Sequence, residues 1–420
     1  MEVENRPNIQ DQAERPGYKK TKLGWIPSDW ETIKLGEIGE FKNGINKKKD
    51  DFGFGTPFIN LMDVFGKPVL LKDNWGLVNA NQAEIENYGL KKGDVLFIRS
   101  SVKPSGVGLT SIVKEDVPNT VYSGFLIRYR LNKESIFNND FLQYCFHEKG
   151  FRQRLIVRSS SSANTNINQD NLGQLIIGLP PLPEQQKIAK ILSTWDTAIA
   201  TQEQLIAAKE TFKKGLMQVL LTGEKRLEGF EGEWEKLEFE LIAERSKEKN
   251  NKLREKSFRC IELEHIIQDA GEINGFTDSS LQKSLKNRFY RGDILFGKLR
   301  PYLRKYWSAE FDGVCSSEIW VLRGKKDRCT NKFLFYLIQR NKFIQIANAT
   351  TGSKMPRADW NYLKEFPFLI PSVSEQQKIT SFLSNIDTEI ELQKKQLAQL
   401  RNQKMGLMQR LLTGDTRIKL

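Results

Sequence analysis

Few residues in this chain of 420 have both the type and the spacing that catalysis or metal binding requires. The only two histidines, His147 and His265, stand at no metal-ligand spacing from other candidate ligands. The chain also lacks a Gly-rich phosphate-binding loop and an Asn/Asp-Pro-Pro-Tyr element of the kind that amino-methyltransferases carry. We therefore predict no catalytic, cofactor-binding or metal-binding residue here, and a protein that is not an enzyme.

One acidic pattern offers an alternative. Asp29 precedes Glu40, Phe41 and Lys42, and an acid followed by Glu-x-Lys can hold a divalent metal for nuclease chemistry. The same charges are typical of solvated residues at the start of a folded domain, and we favour this second interpretation.

Cysteine usage and charge indicate the compartment and the partner. The four cysteines form no C-x-x-C motif, which predicts reduced thiols and a cytoplasmic protein. No stretch approaches the roughly 18 apolar residues of a membrane helix, and no signal peptide is recognisable after Met1. The net charge of +13 predicts a polyanionic partner, most commonly nucleic acid, although a basic protein without such a partner is the alternative.

A duplicated segment organises the chain. The sequence EQQKI at 184–188 recurs at 375–379, and LLTG at 220–223 recurs at 411–414. Both pairs have the same offset of 191 (375 − 184 and 411 − 220), and GLMQ recurs between them at that offset. The two segments therefore align without a gap.

Each copy of the segment predicts one long helix. The helices cover 184–222 and 375–413, and each ends at a glycine, Gly223 or Gly414. Each has 39 residues, which corresponds to a length of roughly 58 Å.

Apolar residues recur at alternating intervals of three and four along both helices. Polar residues interrupt both stripes at equivalent positions, Gln202 with Gln393 and Lys213 with Lys404. This pattern predicts a coiled coil whose register is specified, and the alternative is two amphipathic helices that pack on separate domains. The predicted helix-pair interface consists of Leu192, Trp195, Ile199, Ile206, Leu383, Ile386, Ile390 and Leu397.

Two globular regions, 21–180 and 229–371, fill most of the remainder, and residues 1–20 are predicted to be a disordered tail. GDVLF at 93–97 resembles GDILF at 292–296, and each predicts a turn that leads into an apolar strand. Short strands mixed with short helices predict an α+β fold in both regions, with two divergent surfaces.

The duplication also has a cyclic order. Trp30 lies near the start of the first globular region, and Trp234 lies near the start of the second, shortly after the first long helix. If the C-terminus were joined to the N-terminus, the second helix would enter the Trp30 region as the first enters the Trp234 region. We predict a circular pseudo-two-fold symmetry in which one chain imitates a dimer.

At this point the sequence resembles the specificity subunits of type I restriction–modification systems. Residues 179–188 (LPPLPEQQKI) resemble the opening of that family's conserved helices, and 216–223 resemble their close. The resemblance covers about residue 20 to residue 420 and extends to order, spacing and duplication. Residues 371–374 (PSVS) depart from 180–183 (PPLP), so the entry into the second helix is expected to differ.

The resemblance implies a separate role for each part of the chain and for its partner subunits. Each globular region is a target-recognition domain that recognises one half of a split site in double-stranded DNA. The two long helices pack antiparallel, set the spacer and dock other subunits. One specificity chain binds two methyltransferase subunits, which methylate adenine with S-adenosylmethionine, and two motor-nuclease restriction subunits join them.

Two stretches in each globular region are rich in side chains that contact phosphates and base edges. They cover 99–103 and 158–169 in the first region, and 298–306 and 350–357 in the second. The predicted DNA-binding residues are Arg99, Ser101, Lys103, Arg158, Asn164, Asn166, Lys298, Arg300, Tyr302, Arg304, Lys305, Ser353, Lys354 and Arg357.

Three other functions fit parts of the sequence. A stand-alone pseudo-dimeric repressor would need no surface beyond the one that binds DNA. A fused nuclease or methyltransferase would need a catalytic motif, and a coiled-coil scaffold would not need basic globular regions. Neighbouring genes for a methyltransferase and a helicase–nuclease would separate these functions from the specificity subunit.

Overall fold

The chain is divided into two compact units whose boundaries fall inside both long helices. The computed structural model describes residues 15–71, 74–132, 136–161, 164–250, 257–281, 284–349 and 355–418. Unit 1 comprises Met1–Thr201 and Leu397–Leu420, and unit 2 comprises Gln202–Gln396. Each unit therefore combines one globular region with part of each long helix.

The globular region of unit 1 mixes strands and short helices. Its strands are β1 (Tyr18–Thr21), β2 (Gly24–Pro27), β3 (Glu31–Lys34), β4 (Gly39–Asn43), β5 (Phe52–Ile59), β6 (Gly76–Val78), β7 (Val95–Ile98), β8 (Ser100–Ser101), β9 (Thr110–Ile112), β10 (Val121–Tyr122), β11 (Leu126–Leu131), β12 (Ser160–Ser161), β13 (Thr165–Asn166) and β14 (Ile176–Leu179). Its helices are α1 (Leu35–Ile38), α2 (Leu61–Val64), α3 (Gln82–Tyr88), α4 (Asn139–Cys145), α5 (Lys149–Arg158) and α6 (Gln169–Gly173).

The globular region of unit 2 lies between the two long helices in the sequence. The first long helix, α7 (Leu182–Leu220), leads into β15 (Glu235–Glu238), β16 (Ala243–Arg245), β17 (Lys249–Asn250), β18 (Arg259–Ile261), β19 (Thr277–Asp278), β20 (Lys286–Phe289), β21 (Ile294–Gly297), β22 (Tyr306–Ser308), β23 (Gly313–Cys315), β24 (Ile319–Gly324) and β25 (Pro367–Ile370). Its short helices are α8 (Phe239–Ile242), α9 (Asn331–Leu337), α10 (Asn341–Asn348) and α11 (Trp360–Leu363), and the second long helix is α12 (Val373–Leu412).

Both units contain the same four-stranded antiparallel sheet. Its order is β4-β11-β7-β9 in unit 1 and β16-β24-β21-β22 in unit 2. The third strand of each sheet, β7 or β21, directly follows the Gly-Asp motif (residues 93–94 or 292–293). Every residue of these two strands is buried. Continuous burial fits strands that are covered on both faces. The predicted α+β class is confirmed.

The aspartate of each Gly-Asp motif forms a buried ion pair across this sheet. Asp94 accepts two hydrogen bonds of 2.7 Å from Arg130, and Asp293 accepts hydrogen bonds of 2.8 and 3.0 Å from Arg323. A bidentate guanidinium–carboxylate contact fixes both side chains in one plane. The pair therefore holds the start of β7 or β21 against the neighbouring strand.

The long helices begin and end at equivalent positions. They start at Leu182 and Val373, which are 191 residues apart (373 − 182). The entries differ in one bond, as expected, because the Glu184 amide donates to the Pro181 carbonyl at 2.9 Å and the Glu375 amide donates to the Ser372 hydroxyl at 3.4 Å. The amides of Gln185 and Gln376 donate to the carbonyls of Pro181 and Ser372 at 3.0 and 2.9 Å, which preserves the first turn despite the changed residues. Beyond each helix, Gly223 and Gly414 have φ near +75°, which favours glycine.

Contacts between the long helices show that the two helices run in opposite directions. In unit 2, Gln202 donates to Gln393 at 2.5 Å, and Lys209 pairs with Glu389 at 2.6 Å, so positions rise on α7 while they fall on α12. Ile206, Leu383, Ile386 and Ile390 are buried there. In unit 1, buried Leu192 packs in one cluster with Leu411 and Leu412, whereas Trp195, Ile199 and Leu397 are half-buried.

The N-terminal segment is ordered earlier than predicted. Residues 18–20 belong to β1, so the predicted disordered tail is wrong there, while residues 1–14 of that prediction lie outside the described residues. The Tyr18 hydroxyl donates to the Gly414 carbonyl at 2.8 Å, and Arg15 pairs with Asp415 at 3.1 Å. These contacts join the segment to the end of α12 within unit 1.

The cysteines are buried thiols. All four are free, and burial raises the pKa of Cys260 to about 11 and that of Cys329 to about 12. Thiols with such pKa values carry almost no thiolate at neutral pH. Across the described residues, the helices are all too short or too polar to span a lipid bilayer.

Acid should destabilise unit 1 through His147. Burial, with smaller effects from Arg152 and Lys404, lowers the pKa of His147 to about 4, and its Nε2 has no hydrogen-bond partner among the described residues. Because the unfolded state takes up the proton near pH 6.5, the free energy of unfolding should fall between pH 6.5 and pH 4, by roughly 3 kcal/mol in total. Denaturant unfolding of wild type and His147→Gln measures this. An equal loss in the variant would contradict the assignment.

Candidate nucleic-acid interface

The two polar stretches of unit 1 come together in one small sheet. In the sheet β12-β13-β8, Ser101 pairs with Thr165 and Ser100 pairs with Asn166. The amide of Ile167 also donates to the carbonyl of Arg99 at 3.0 Å. Residues more than 60 positions apart therefore form one continuous surface, called surface 1. It consists of Arg99, Ser101, Lys103, Arg158, Asn164 and Asn166.

The side chains of surface 1 differ in their solvent exposure and in their hydrogen bonds within the protein. Lys103, Arg158 and Asn164 are exposed, whereas Ser101 and Asn166 are half-buried. The Arg99 guanidinium is half-buried and donates to the Gly124 carbonyl at 3.3 Å. The two exposed cations are therefore the residues of surface 1 best placed to contact phosphates.

Two valines extend surface 1, and sequence reasoning missed them. Val102 is 82% exposed beside Lys103, and Val157 is 83% exposed beside Arg158. Apolar side chains can contact the thymine methyl group in the major groove. No sequence signal separates them from core residues, because exposed and buried valines look alike in a single sequence.

The second pair of stretches also meets, in unit 2. Leu299 forms a β-bridge with Arg357, and the amide of Arg300 donates to the Pro356 carbonyl at 2.7 Å. Ser353 and Lys354, which were also predicted to bind DNA, lie outside the described residues. The remaining predicted residues form surface 2. It consists of Lys298, Arg300, Tyr302, Arg304, Lys305 and Arg357.

A strained turn forms the tip of surface 2. Arg300 and Arg304 have φ of 52° and 50°, and they flank the short helical turn Pro301–Leu303. A left-handed conformation costs a residue other than glycine roughly 1–3 kcal/mol and is common at functional sites. Tyr302, which is 47% exposed, lies at the tip of this turn. In unit 1 a similar turn, Pro104–Gly106, follows the equivalent strand.

Arg304 anchors the turn within the protein. Its guanidinium donates to Asp269 at 2.8 Å, to Asn341 at 3.1 Å and to the Gln339 carbonyl. Burial alone would raise the pKa of Asp269, but hydrogen bonds from Arg304 and Tyr306 lower it. These contacts favour a structural role for Arg304 over the predicted contact with DNA.

Other cations of surface 2 also contact carbonyl or carboxylate groups of the protein. Lys305 donates to the Leu263 carbonyl at 2.5 Å, and Arg357 donates to Glu318 at 3.1 Å. Lys298 lies 4.0 Å from the same glutamate. The Arg300 Nε atom is buried and has no hydrogen-bond partner among the described residues. Arg300 and Tyr302 are therefore the residues of surface 2 best placed for a ligand.

The nuclease-like pattern does not assemble into one site. Asp29 pairs with Arg417 at 2.7 Å, and hydrogen bonds from Arg417 lower the pKa of Asp29. Glu40 lies 3.6 Å from Arg128, and Lys42 donates to Asn87 at 3.2 Å. Each of the three charges thus has its own partner. The part of the chain that the structure describes contains no group of three acidic, histidine or cysteine side chains placed to hold a metal.

The repeated Glu-Gln-Gln motif joins each long helix to its globular region. Glu184 accepts hydrogen bonds from Trp30 at 2.9 Å and from Arg417 at 3.0 Å. In unit 2, Glu375 accepts them from Trp234 at 3.2 Å and from Arg226 at 2.7 Å. The sequence contains a clue to these glutamate–tryptophan–arginine contacts, because Arg226 and Arg417 are also 191 residues apart (417 − 226).

The second residue of the motif holds the loop before a short helix. Gln185 accepts from the amide of Asn138 at 2.9 Å, and Gln376 accepts from the amide of Thr330 at the same distance. Asn138 and Thr330 in turn cap α4 and α9. The motif therefore positions the helix that packs beside the central sheet, a role that helix-start chemistry alone did not predict.

The two globular regions share a four-stranded sheet of equivalent strand order, a proline-led turn and the same contacts to a long helix, so the chain is a duplicated protein. The family model of the type I restriction modification DNA specificity domain matches residues 27–210 and 239–402. The chain therefore belongs to this family, the specificity subunits of type I restriction–modification systems.

Relatives resemble the chain over nearly its whole length. The putative type I restriction enzyme MjaX specificity subunit of Methanocaldococcus jannaschii is 26% identical over 425 residues, which cover 96% of this chain and 97% of that protein. The EcoDI specificity subunit of Escherichia coli is 22% identical over 435 residues, which cover 93% and 90%.

Solved structures show the same fold. A chain solved in work on complex assembly and conformational transition of the type I restriction–modification system has a TM-score of 0.60 at 14% identity, and the match covers 93% of this chain and 99% of that one. The S subunit from M. genitalium has a TM-score of 0.50 at 16% identity, with 91% and 96% covered.

Proposed function

We propose that this chain is a non-catalytic subunit that directs a DNA-modifying complex to a bipartite site. Each globular region recognises one half of that site, through surface 1 or surface 2. The observation that carries the proposal is the equivalent origin of the two surfaces. Each begins after the strand of the Gly-Asp motif and is completed by a stretch that lies shortly before a long helix.

The long helices set the spacer between the two half-sites. Cross-helix contacts in opposite directions, and buried residues at heptad positions, support an antiparallel coiled coil. Contacts that recur 191 residues apart, such as those of Glu184 and Glu375, support a circular pseudo-two-fold symmetry. Surface 1 and surface 2 belong to different units, so we expect each to bind its bases independently of the other.

The duplicated contacts also support the proposed partners. One chain with two equivalent halves offers two equivalent docking sites, which fits two methyltransferase subunits and two restriction subunits per specificity chain. The methyltransferase subunits bind S-adenosylmethionine and methylate adenine in cytoplasmic DNA, and this chain holds no cofactor.

Reconstitution tests the proposed function. The purified chain, incubated with S-adenosylmethionine and DNA, should transfer no methyl group and cut no strand. Addition of the methyltransferase subunits should produce methyladenine at specific sites. Methylation or cleavage by the chain alone, after purification to homogeneity, would show that it is an enzyme.

Lys103 and Arg304 should respond differently to substitution. Lys103→Ala removes an exposed cation, so the DNA affinity of the assembled complex should fall. The slope of the logarithm of the DNA-binding constant against the logarithm of salt concentration should become shallower by about 0.9. Arg304→Ala removes three internal hydrogen bonds, and the free energy of unfolding should fall by about 1–3 kcal/mol.

Lys395→Ala provides the control, because Lys395 is an exposed cation on α12 whose one ion pair within the described part of the chain is with Glu391 of the same helix, at 2.6 Å. It should change neither the salt slope nor the stability. If Lys103→Ala behaves like this control, surface 1 is placed wrongly.

A further inference from the structure

A cluster of three polar side chains joins three elements of unit 1. Asp196 on α7 accepts a hydrogen bond of 2.7 Å from the Tyr144 hydroxyl on α4, and it pairs with Lys404 on α12. The Lys404 ammonium also lies 5.5 Å from the centre of the Tyr144 ring. One contact therefore ties the globular region to both long helices.

The same cluster occurs in unit 2 with the helices exchanged. Asp387 on α12 accepts a hydrogen bond of 2.6 Å from the Tyr336 hydroxyl on α9, and it pairs with Lys213 on α7 at 2.5 Å. The Lys213 ammonium lies 5.7 Å from the Tyr336 ring centre. The helix that supplies the aspartate to one cluster supplies the lysine to the other, which explains the polar interruption at Lys213 and Lys404.

The clusters fix a position that apolar packing alone leaves open. Hydrophobic contacts are non-directional, so they allow a globular region to rotate or slide on the helix pair. A hydrogen bond and an ion pair to one carboxylate are directional. The lysines are only 18–19% exposed, so solvent screens these contacts weakly.

A second attachment point lies upstream on the same helix. Glu184, which contacts Trp30, precedes Asp196 by 12 residues (196 − 184), a distance of about 18 Å along α7. Two attachment points along one axis prevent rotation about either of them. One base pair changes the position of a half-site by about 3.4 Å and its direction by about 35°, and a region held at both points cannot follow that change.

We propose that the two clusters, Asp196–Lys404–Tyr144 and Asp387–Lys213–Tyr336, are positioning residues that set the DNA spacer length accepted by the complex. The inference rests on the proposed function, because it concerns the geometry between the two half-sites. These residues contact no base, so they affect the accepted spacer length and not the sequence of either half-site.

Spacer profiles test this role. The assembled methyltransferase complex is offered DNA with unchanged half-sites and with spacers up to two base pairs shorter or longer, and methyladenine is counted for each length. Lys404→Met and Tyr144→Phe should each lower the preference for the wild-type spacer over its neighbours, about tenfold for Lys404→Met. Both half-site sequences should stay the same.

Lys395→Met is the matched control, because it removes a cation of α12 that has no partner off its own helix among the described residues. It should keep the wild-type spacer profile. If Lys404→Met does not fold, Tyr144→Phe still carries the test, because it removes one hydroxyl and keeps the ring.

The failure of the inference and the failure of the proposed function look different. Variants that keep the wild-type spacer preference overturn the positioning role while wild type still methylates a bipartite site. A wild-type complex that shows no dependence on spacer length overturns the proposed function, and the inference with it.

Discussion

Replacing residues 25–180 with the equivalent region of another specificity subunit should change one half of the methylated DNA sequence completely. The other half and the spacer should stay as they are in wild type. The reason is that surface 1 lies wholly within this segment, whereas surface 2 and both long helices lie outside it. Sequencing of methyladenine sites in DNA from cells that produce the hybrid complex measures both halves at once.

The structure limits the choice of donor region. The exchanged segment contains Trp30 and Tyr144, which bond to Glu184 and Asp196 on the retained α7. A donor with tryptophan and tyrosine at these positions keeps both attachments, and a donor without them serves as the contrast. If a donor of the first kind changes both halves of the motif, the two globular regions do not act independently.

Ile390→Asp should be strongly destabilising. Ile390 is 6% exposed and lies on α12 between Asp387 and Gln393, which both contact α7. An aspartate placed there without a partner should lower the free energy of unfolding by roughly 3 kcal/mol or more. Denaturant unfolding, followed by far-ultraviolet circular dichroism, measures the loss.

Two further variants calibrate this loss. Leu392→Asp places the same charge on the same helix at a residue that is 58% exposed, so it should cost less than about 1 kcal/mol. Ile199→Asp alters the equivalent residue of α7, which is only half-buried, and should fall between the two. Equal losses for Ile390→Asp and Leu392→Asp would show that α12 does not bury its apolar stripe.

The long helices and the Gly-Asp strands are the parts of the fold that sequence predicts best. Their evidence is local or repeated, since the offset of 191 residues aligns both helices and the motif marks both buried strands. The helix bounds differ from prediction by only one or two residues at each end. In contrast, residues 18–20 carry no periodic pattern, although they pair with β2 and the Tyr18 hydroxyl donates to the distant Gly414 carbonyl.

The roles of individual polar residues are harder to predict, because they depend on partners far away in sequence. Arg300 and Arg304 look alike in the sequence, yet Arg304 donates to three internal acceptors. Asp196 lies 52 residues from Tyr144 and 208 from Lys404, so nothing local connects them. The sequence predicts that the turn is basic. Only the structure shows which of its arginines bonds within the protein and which is left for a ligand.

A map of methyladenine across the genome of a host that produces this chain with its methyltransferase subunits tests the central claim most directly. We predict one motif made of two short specific sequences separated by a non-specific spacer of fixed length, with methylation only where both parts are present. Methylation of a single uninterrupted motif, or of either half-sequence alone, would contradict the recognition of a bipartite site by two globular regions.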